Sequence, residues 1–149
     1  MVFEPGRSML WVCGHAVVQA YCWSASAERF SCERALEITL PSDRAHDLMS
    51  DPVGGGLIVT TADKVWRLDP RRNAITPFAP IADVNHVKGV SVDAASGIIA
   101  YITGIDASTW WNDHLILLRR DGTTERRTIP GRRLYNVRWD KPCRLGCEG

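Results

Sequence analysis

The chain has 149 residues, 45% hydrophobic and 23% charged, the composition of an ordinary globular domain large enough to bury a core. Its 18 basic and 17 acidic residues leave a formal net charge of +1, which excludes a long-range field for nucleic acid or an anionic membrane. No stretch approaches the roughly 18 apolar residues of a membrane-spanning helix, and Met1–Arg7 lacks the charged-then-apolar order of a secretion signal, so the chain as written reads as cytoplasmic.

In chain order the apolar runs read as strands of four recurring kinds, A to D from an inner to an outer position. Met9–Cys13 is a B strand, Val17–Tyr21 a C strand and Ala35–Leu40 a D strand; Arg29–Thr39 can be argued as a short helix, but its apolar order fits a strand better. His46–Asp51, Gly56–Thr61, Val65–Leu68 and Ala74–Phe78 form a full A-to-D set, and Val87–Asp93, Gly97–Ile102, Leu115–Arg119 and Thr124–Ile129 form another. Leu134–Asp140 is a lone A strand at the end. The B runs lack full alternation, as strands covered on both faces do. Asp69–Asn73 and Arg120–Thr123 have the chemistry of C-to-D hairpin turns, where Pro presets φ and Gly or Asn accepts positive φ. The A-to-B turns at Asp51–Gly56 and Asp93–Gly97 match each other, and Pro77 demotes the D run to a sheet edge.

His46, Val87 and Leu134 open the A strands, 41 and then 47 residues apart, a spacing that marks propeller blades. A ring of such blades closes with about 4–8 copies; three make an arc. The expected fold is all-β, a partial β-propeller of three four-stranded antiparallel blades, half of a roughly six-bladed ring. It is one domain over 1–149, with blade 1 at about 9–40 plus the closing strand, blade 2 at about 46–80, blade 3 at about 87–130 and the last strand at 134–140. A free arc exposes two apolar faces that soluble monomers rarely tolerate. The missing half is therefore expected upstream in a longer protein, the favoured reading. The alternative is a second copy joined head to tail, each chain lending its last A strand to the other's first blade.

Five cysteines (Cys13, Cys22, Cys32, Cys143 and Cys147) leave at least one unpaired, and with no CxxC or paired-His motif beside Cys143 and Cys147 no metal site and no cofactor is read. Arg126, Arg127, Arg132 and Arg133 form the one basic cluster, read as a solvated edge. Trp11, Trp66 and Trp139 fall within strand runs and are expected in the core, while His15 and His114 sit at strand edges without an identified partner.

The succession Leu10-Trp11-Val12-Cys13-Gly14, His46-Asp47-Leu48, Val59-Thr60-Thr61, Val87-Lys88-Gly89-Val90, Trp110-Trp111-Asn112-Asp113 and Leu134-Tyr135-Asn136-Val137-Arg138-Trp139 resembles a family of bacterial β-propeller proteins of unassigned activity. Its members carry Gly-Gly-His-Asp-Leu, Trp-Trp-Thr-Asp and closing Tyr-Lys-Ala-Arg-Trp runs in that order. Here Arg44-Ala45 replaces the paired glycines, Asn112 stands for Thr and Asn136 for Lys. The resemblance runs from about Met9 to Asp140. It implies a propeller fold and, because the family's members are longer, a C-terminal half; it implies no reaction.

In a propeller the residues that open each A strand ring the mouth of the central channel, joined there by the B-to-C loops. That places His46 and Asp47, His86 and Lys88, and Arg133 and Tyr135 at equivalent points, with Trp110, Trp111 and Asp113 on the same face. A Trp pair stacks on sugar rings, Lys88 and Arg133 suit a uronate carboxylate, His46 or His86 suits a base near neutral pH and Tyr135 an acid. Each residue also has a structural role to set against this: Asp47 as a lock between blades, the Trp pair as packing over the hub, Lys88 as a solvated cation on the channel rim. The expected function is a binding module whose ligand, a glycan or small molecule, sits on His46, Asp47, His86, Lys88, Trp110, Trp111, Asp113 and Tyr135. The alternatives are a polysaccharide lyase acting on acidic glycans and a protein-interaction scaffold without a small ligand. No nucleic acid or membrane partner is expected, and no residue is assigned as catalytic.

Overall fold

The computed structural model describes residues 1–4, 8–24, 26, 28–106 and 108–139, with the side chains of 29–33 outside the description. Asp140, Cys143 and Cys147, and the side chain of Cys32, thus lie outside the described residues. The described chain is all-β, in three separate four-stranded sheets, each an up-and-down meander of antiparallel neighbours. Sheet 1 holds β1 (Val2–Glu4), β2 (Met9–Gly14), β3 (Val17–Ser24) and β4 (Arg29–Thr39). Sheet 2 holds β5 (Asp47–Ser50), β6 (Leu57–Thr60), β7 (Val65–Asp69) and β8 (Ala74–Pro77). Sheet 3 holds β9 (Val87–Val92), β10 (Ile99–Thr103), β11 (His114–Leu118) and β12 (Thr124–Thr128). Arg29–Thr39 is strand, as its apolar order indicated. No described helix is long and apolar enough to cross a membrane.

The turns follow from their residues. Asp51 and Asp93 each accept a backbone hydrogen bond four residues on, from Gly55 and Gly97, whose φ of 73° and 70° suits glycine. The Asp51 carboxylate also takes the Val53 and Gly54 amides, and the Asp93 carboxylate takes that of Ser96. The two turns therefore fix a common register for sheets 2 and 3. Counted back from them, His46 corresponds to Lys88, Asp47 to Gly89, and Arg44 to His86. Arg44 and His86 share the left-handed backbone, with φ of 53° and 57°.

Two apolar layers hold the sheets face to face. Met9, Trp11, Val18, Ala20 and Ile38 of sheet 1 pack on Leu48, Leu57, Val59 and Leu68 of sheet 2. On the opposite face of sheet 2, Met49, Ile58 and Val65 pack with Val90, Val92, Ile99 and Tyr101 of sheet 3. The middle sheet is covered on both sides, which explains why β6 is buried throughout and shows no polar alternation. Burial of Trp11, Leu48, Ile58 and Leu68, all essentially solvent-free, makes these layers the main source of stability at about 1.5–3 kcal/mol per large side chain.

Three expectations change. Val2–Glu4 forms β1 and pairs with Met9–Trp11, so sheet 1 has a first strand of its own; that position had been left to the closing strand. A three-residue strand is too short to carry a periodic signal. Leu134–Trp139 forms no ladder within the described residues: its one bridge joins Leu134 to Asn112, and the segment lies beside β9, where Trp139 N donates to Ser91 Oγ at 2.9 Å. Trp139 is 40% exposed, whereas Trp11 is fully buried and Trp66 packs at the edge of the first layer, its indole N–H donating to Ser42 Oγ and Thr61 Oγ1.

Candidate functional site

The first strands of neighbouring sheets pack together, β1 against β5 and β5 against β9. The residues that open β5 and β9 therefore converge. Lys88 Nζ lies 3.2 Å from His46 Nε2. An ammonium has only hydrogens to offer, so Lys88 donates, Nε2 accepts and the neutral ring carries its proton on Nδ1. Lys88 is 6% exposed. Among the described residues no carboxylate lies within ion-pairing distance of it. Burial, followed by the nearby Arg44 charge, lowers the Lys88 pKa from its ordinary value. Burial also lowers that of His46, with Lys88 and Arg44 adding repulsion. Lys88 and His46 thus form a partly buried basic pair, with the exposed Arg44, 3.5 Å from the Asp43 carboxylate, adding charge nearby.

Asp47 does different work. Its carboxylate is buried and accepts from the amides of Leu48 at 2.9 Å and Val90 at 3.4 Å, the second bond crossing from sheet 2 to sheet 3. Arg138 clamps it with both terminal nitrogens, Nη1 reaching Oδ2 at 2.8 Å and Nη2 reaching Oδ1. Asn136 mirrors the Asp47 turn, its Oδ1 accepting from the Val137 amide at 2.7 Å. It sits against Gly89, where a Cβ would meet Asn136 Oδ1 at 2.7 Å. The closing segment therefore stands to β9 much as β9 stands to β5. Met1, Val2, Leu48, Ser91, Arg138 and Trp139 together line a cavity of about 280 Å³ between these inner strands. The Thr60 hydroxyl, on the residue paired in register with Asp47, is fully buried without a hydrogen-bond partner among the described residues.

The β10–β11 loop lies above this rim. Gly104 leaves room for the Lys88 stem: a Cβ there would meet Lys88 Cε at 3.3 Å and collide with the Thr109 carbonyl. Asp106 braces the loop. The Ser108 hydroxyl, then the Thr109 and Ser108 amides, hold its carboxyl down to about 2. Trp110 and Tyr135 meet edge to face at 5.3 Å between ring centres, and are 53% and 38% exposed. Arg133 lies over the Trp111 ring at 4.8 Å.

The structure thus brings His46 together with Lys88, and Trp110 with Tyr135, in two pairs; Gly104 lies against both the Lys88 stem and the carbonyl of Thr109, the residue before Trp110. His86 enters only by its backbone, its carbonyl accepting from the Gly104 amide at 2.9 Å. Asp113 turns to His114, with Oδ1 3.1 Å from Nδ1. That same nitrogen lies 2.9 Å from Arg126 Nη2, so His114 has the partners that strand-edge reasoning did not supply. Arg44 and Arg138 were missed as contributors. Arg138 stands inside the closing Tyr-x-x-Arg-Trp motif, which was signal enough; Arg44 had only its place two residues before His46. No family model matches the chain and no curated protein matches it, so function has to be read from these side chains.

Proposed function

We propose that the three sheets are half of a six-bladed propeller-type ring, and that the rim of Arg44, His46 and Lys88 binds the carboxylate of an acidic glycan. The observation that carries this is the Lys88 ammonium: 6% exposed, donating to a neutral imidazole and facing no carboxylate among the described residues. A buried cation without a counter-ion is costly, and an anionic ligand removes that cost on binding. Trp110 and Tyr135 are exposed, meet each other edge to face, and offer an apolar edge and face to a sugar ring. Residues Thr109 and Asn136, their immediate chain neighbours, contact Gly104 and Gly89 on either side of the Lys88 backbone and stem.

Titration calorimetry against oligo-uronates and matched neutral oligosaccharides tests this reading. Uronates should bind and neutral sugars of equal length should bind at least tenfold more weakly, with Lys88→Met removing the preference. Equal binding of both classes, or of neither, would rule the proposal out. A lyase is the second reading, in which a uronate that draws the Lys88 ammonium away frees the His46 Nε2 lone pair to act as the base. Appearance of an unsaturated uronate chromophore during incubation with the polymer would support it, and its absence with intact binding would leave a binder.

A further inference from the structure

Among the described residues sheet 1 is covered on one face only, and the far face of sheet 3 is covered only toward β9 and β10, where Gly89 and Ser91 meet the closing segment and Ala100 and Ile102 are buried. In β2 the alternation places Met9 and Trp11 in the layer against sheet 2, and turns Leu10 and Val12 to the far side, opposite Tyr21 and Gln19 of β3. In β11 Ile116 and Leu118 pack toward sheet 2, which turns Leu115 and Leu117 to the far side. These far faces are not alike: one is the kind of face sheet 1 would present to a preceding sheet, the other the kind sheet 3 would present to a following one. Each internal interface already joins one face of each kind.

The inner strands repeat the asymmetry. β1 pairs with Met9, Leu10 and Trp11, so among the described residues the inner edge of β2 carries no strand partner over Val12–Gly14. Leu134–Trp139 is an inner strand to spare: it lies along β9 through Arg138, Asn136 and Trp139, yet only Leu134 joins a backbone bridge. One end of the molecule lacks length in its inner strand and the other carries a strand without a sheet.

We propose that the occupant of both faces is a second copy of this chain, placed head to tail. Sheet 3 of each copy stacks on sheet 1 of the other, and Leu134–Trp139 of each extends the inner edge of its partner's β2 over Val12–Gly14, beyond the stretch that Val2–Glu4 already pairs. Contact between unlike faces is heterologous and closes only if the rotation completes a circle. Three sheets fall short of the about 4–8 that close a ring, and twice three falls inside that range. This inference rests on the ring arrangement proposed above and is independent of what the rim binds.

Light scattering and sedimentation equilibrium on the wild-type chain decide it. The expected mass is twice the 16.6 kDa of one chain. A monomer, or a ladder of larger species that would mark an open filament, overturns it. Direction is tested with charges: Leu117→Lys and Leu10→Glu should each be monomeric alone. Mixed in equal amounts they should recover the dimer, because one interface then pairs Lys with Glu and the other is wild type. A face-to-like-face dimer gives no such recovery, which would refute the head-to-tail arrangement. Circular dichroism confirms that each variant is folded, and the wild-type mass stands whether or not they are. A glycan-binding failure leaves this mass unchanged, so the two proposals fail separately.

Discussion

Removing Arg138 should expose how strongly the closing segment is tied to β5 and β9. The Arg138 side chain is 45% exposed, whereas that of Asp47 is 4% exposed. Deleting Asp47 lets the guanidinium turn to water, but deleting Arg138 leaves a buried carboxylate without its cation. Truncating one partner of a buried pair costs about 3–5 kcal/mol. The Leu48 and Val90 amides still donate to Asp47, and each bond to a charged group contributes about 1.5–3 kcal/mol, so the cost of Arg138→Ala falls to about 2–4 kcal/mol. Asp47→Asn removes the charge while keeping an oxygen for the local amide, as Asn136 does at the corresponding position. The double variant Asp47→Asn/Arg138→Ala should therefore be more stable than Arg138→Ala alone by about 1–2 kcal/mol. Urea unfolding followed by tryptophan fluorescence, at pH 7 and fixed protein concentration, reads these differences. A loss below about 0.5 kcal/mol for Arg138→Ala, the level of an ordinary surface change, would refute the reasoning. So would a double variant no more stable than the single.

Lys88→Met should raise the stability of the unliganded protein by about 1–2 kcal/mol, since a buried cation gives way to an apolar chain of similar length; a destabilised variant would show that the ammonium is already compensated. The His46 pKa is lowered in the fold, so the unfolded chain binds a proton that the native ring refuses. The His46 contribution to stability should decline as pH falls through about 6.5 and level off below the folded value, and an NMR titration of His46 at or above that midpoint would contradict it. A uronate at the rim should raise the His46 pKa, so its affinity should increase between pH 7.5 and 5.5, a range set on the ordinary value of about 6.5; flat calorimetric affinity across it would count against the site. Gly89→Ala should cost about 1–3 kcal/mol by pushing Asn136 and Val137 off β9, and an unchanged unfolding midpoint would mean the closing segment is not seated there.

Chain order, strand type and the grouping into four-stranded units were legible in the sequence because they depend on neighbours a few residues apart. The apolar runs at Leu57–Thr60 and Ile99–Thr103, the matched aspartate turns and Pro77 at the end of β8 each act locally, and each appears where its chemistry puts it. The pairing of His46 with Lys88 was partly legible, since both open A strands of the repeat. Its character was not: whether two basic side chains repel into water or share a hydrogen bond depends on burial, and burial depends on how the sheets stack. Asp47 and Arg138 are 91 residues apart, and their clamp joins inner strands from different units that no local period connects. The short β1 is invisible for a related reason, since three residues become a strand only because β2 offers an edge. Local conformational preference thus wrote the strands and turns into the sequence, while the stacking of sheets decided which charges lost their water and found one another.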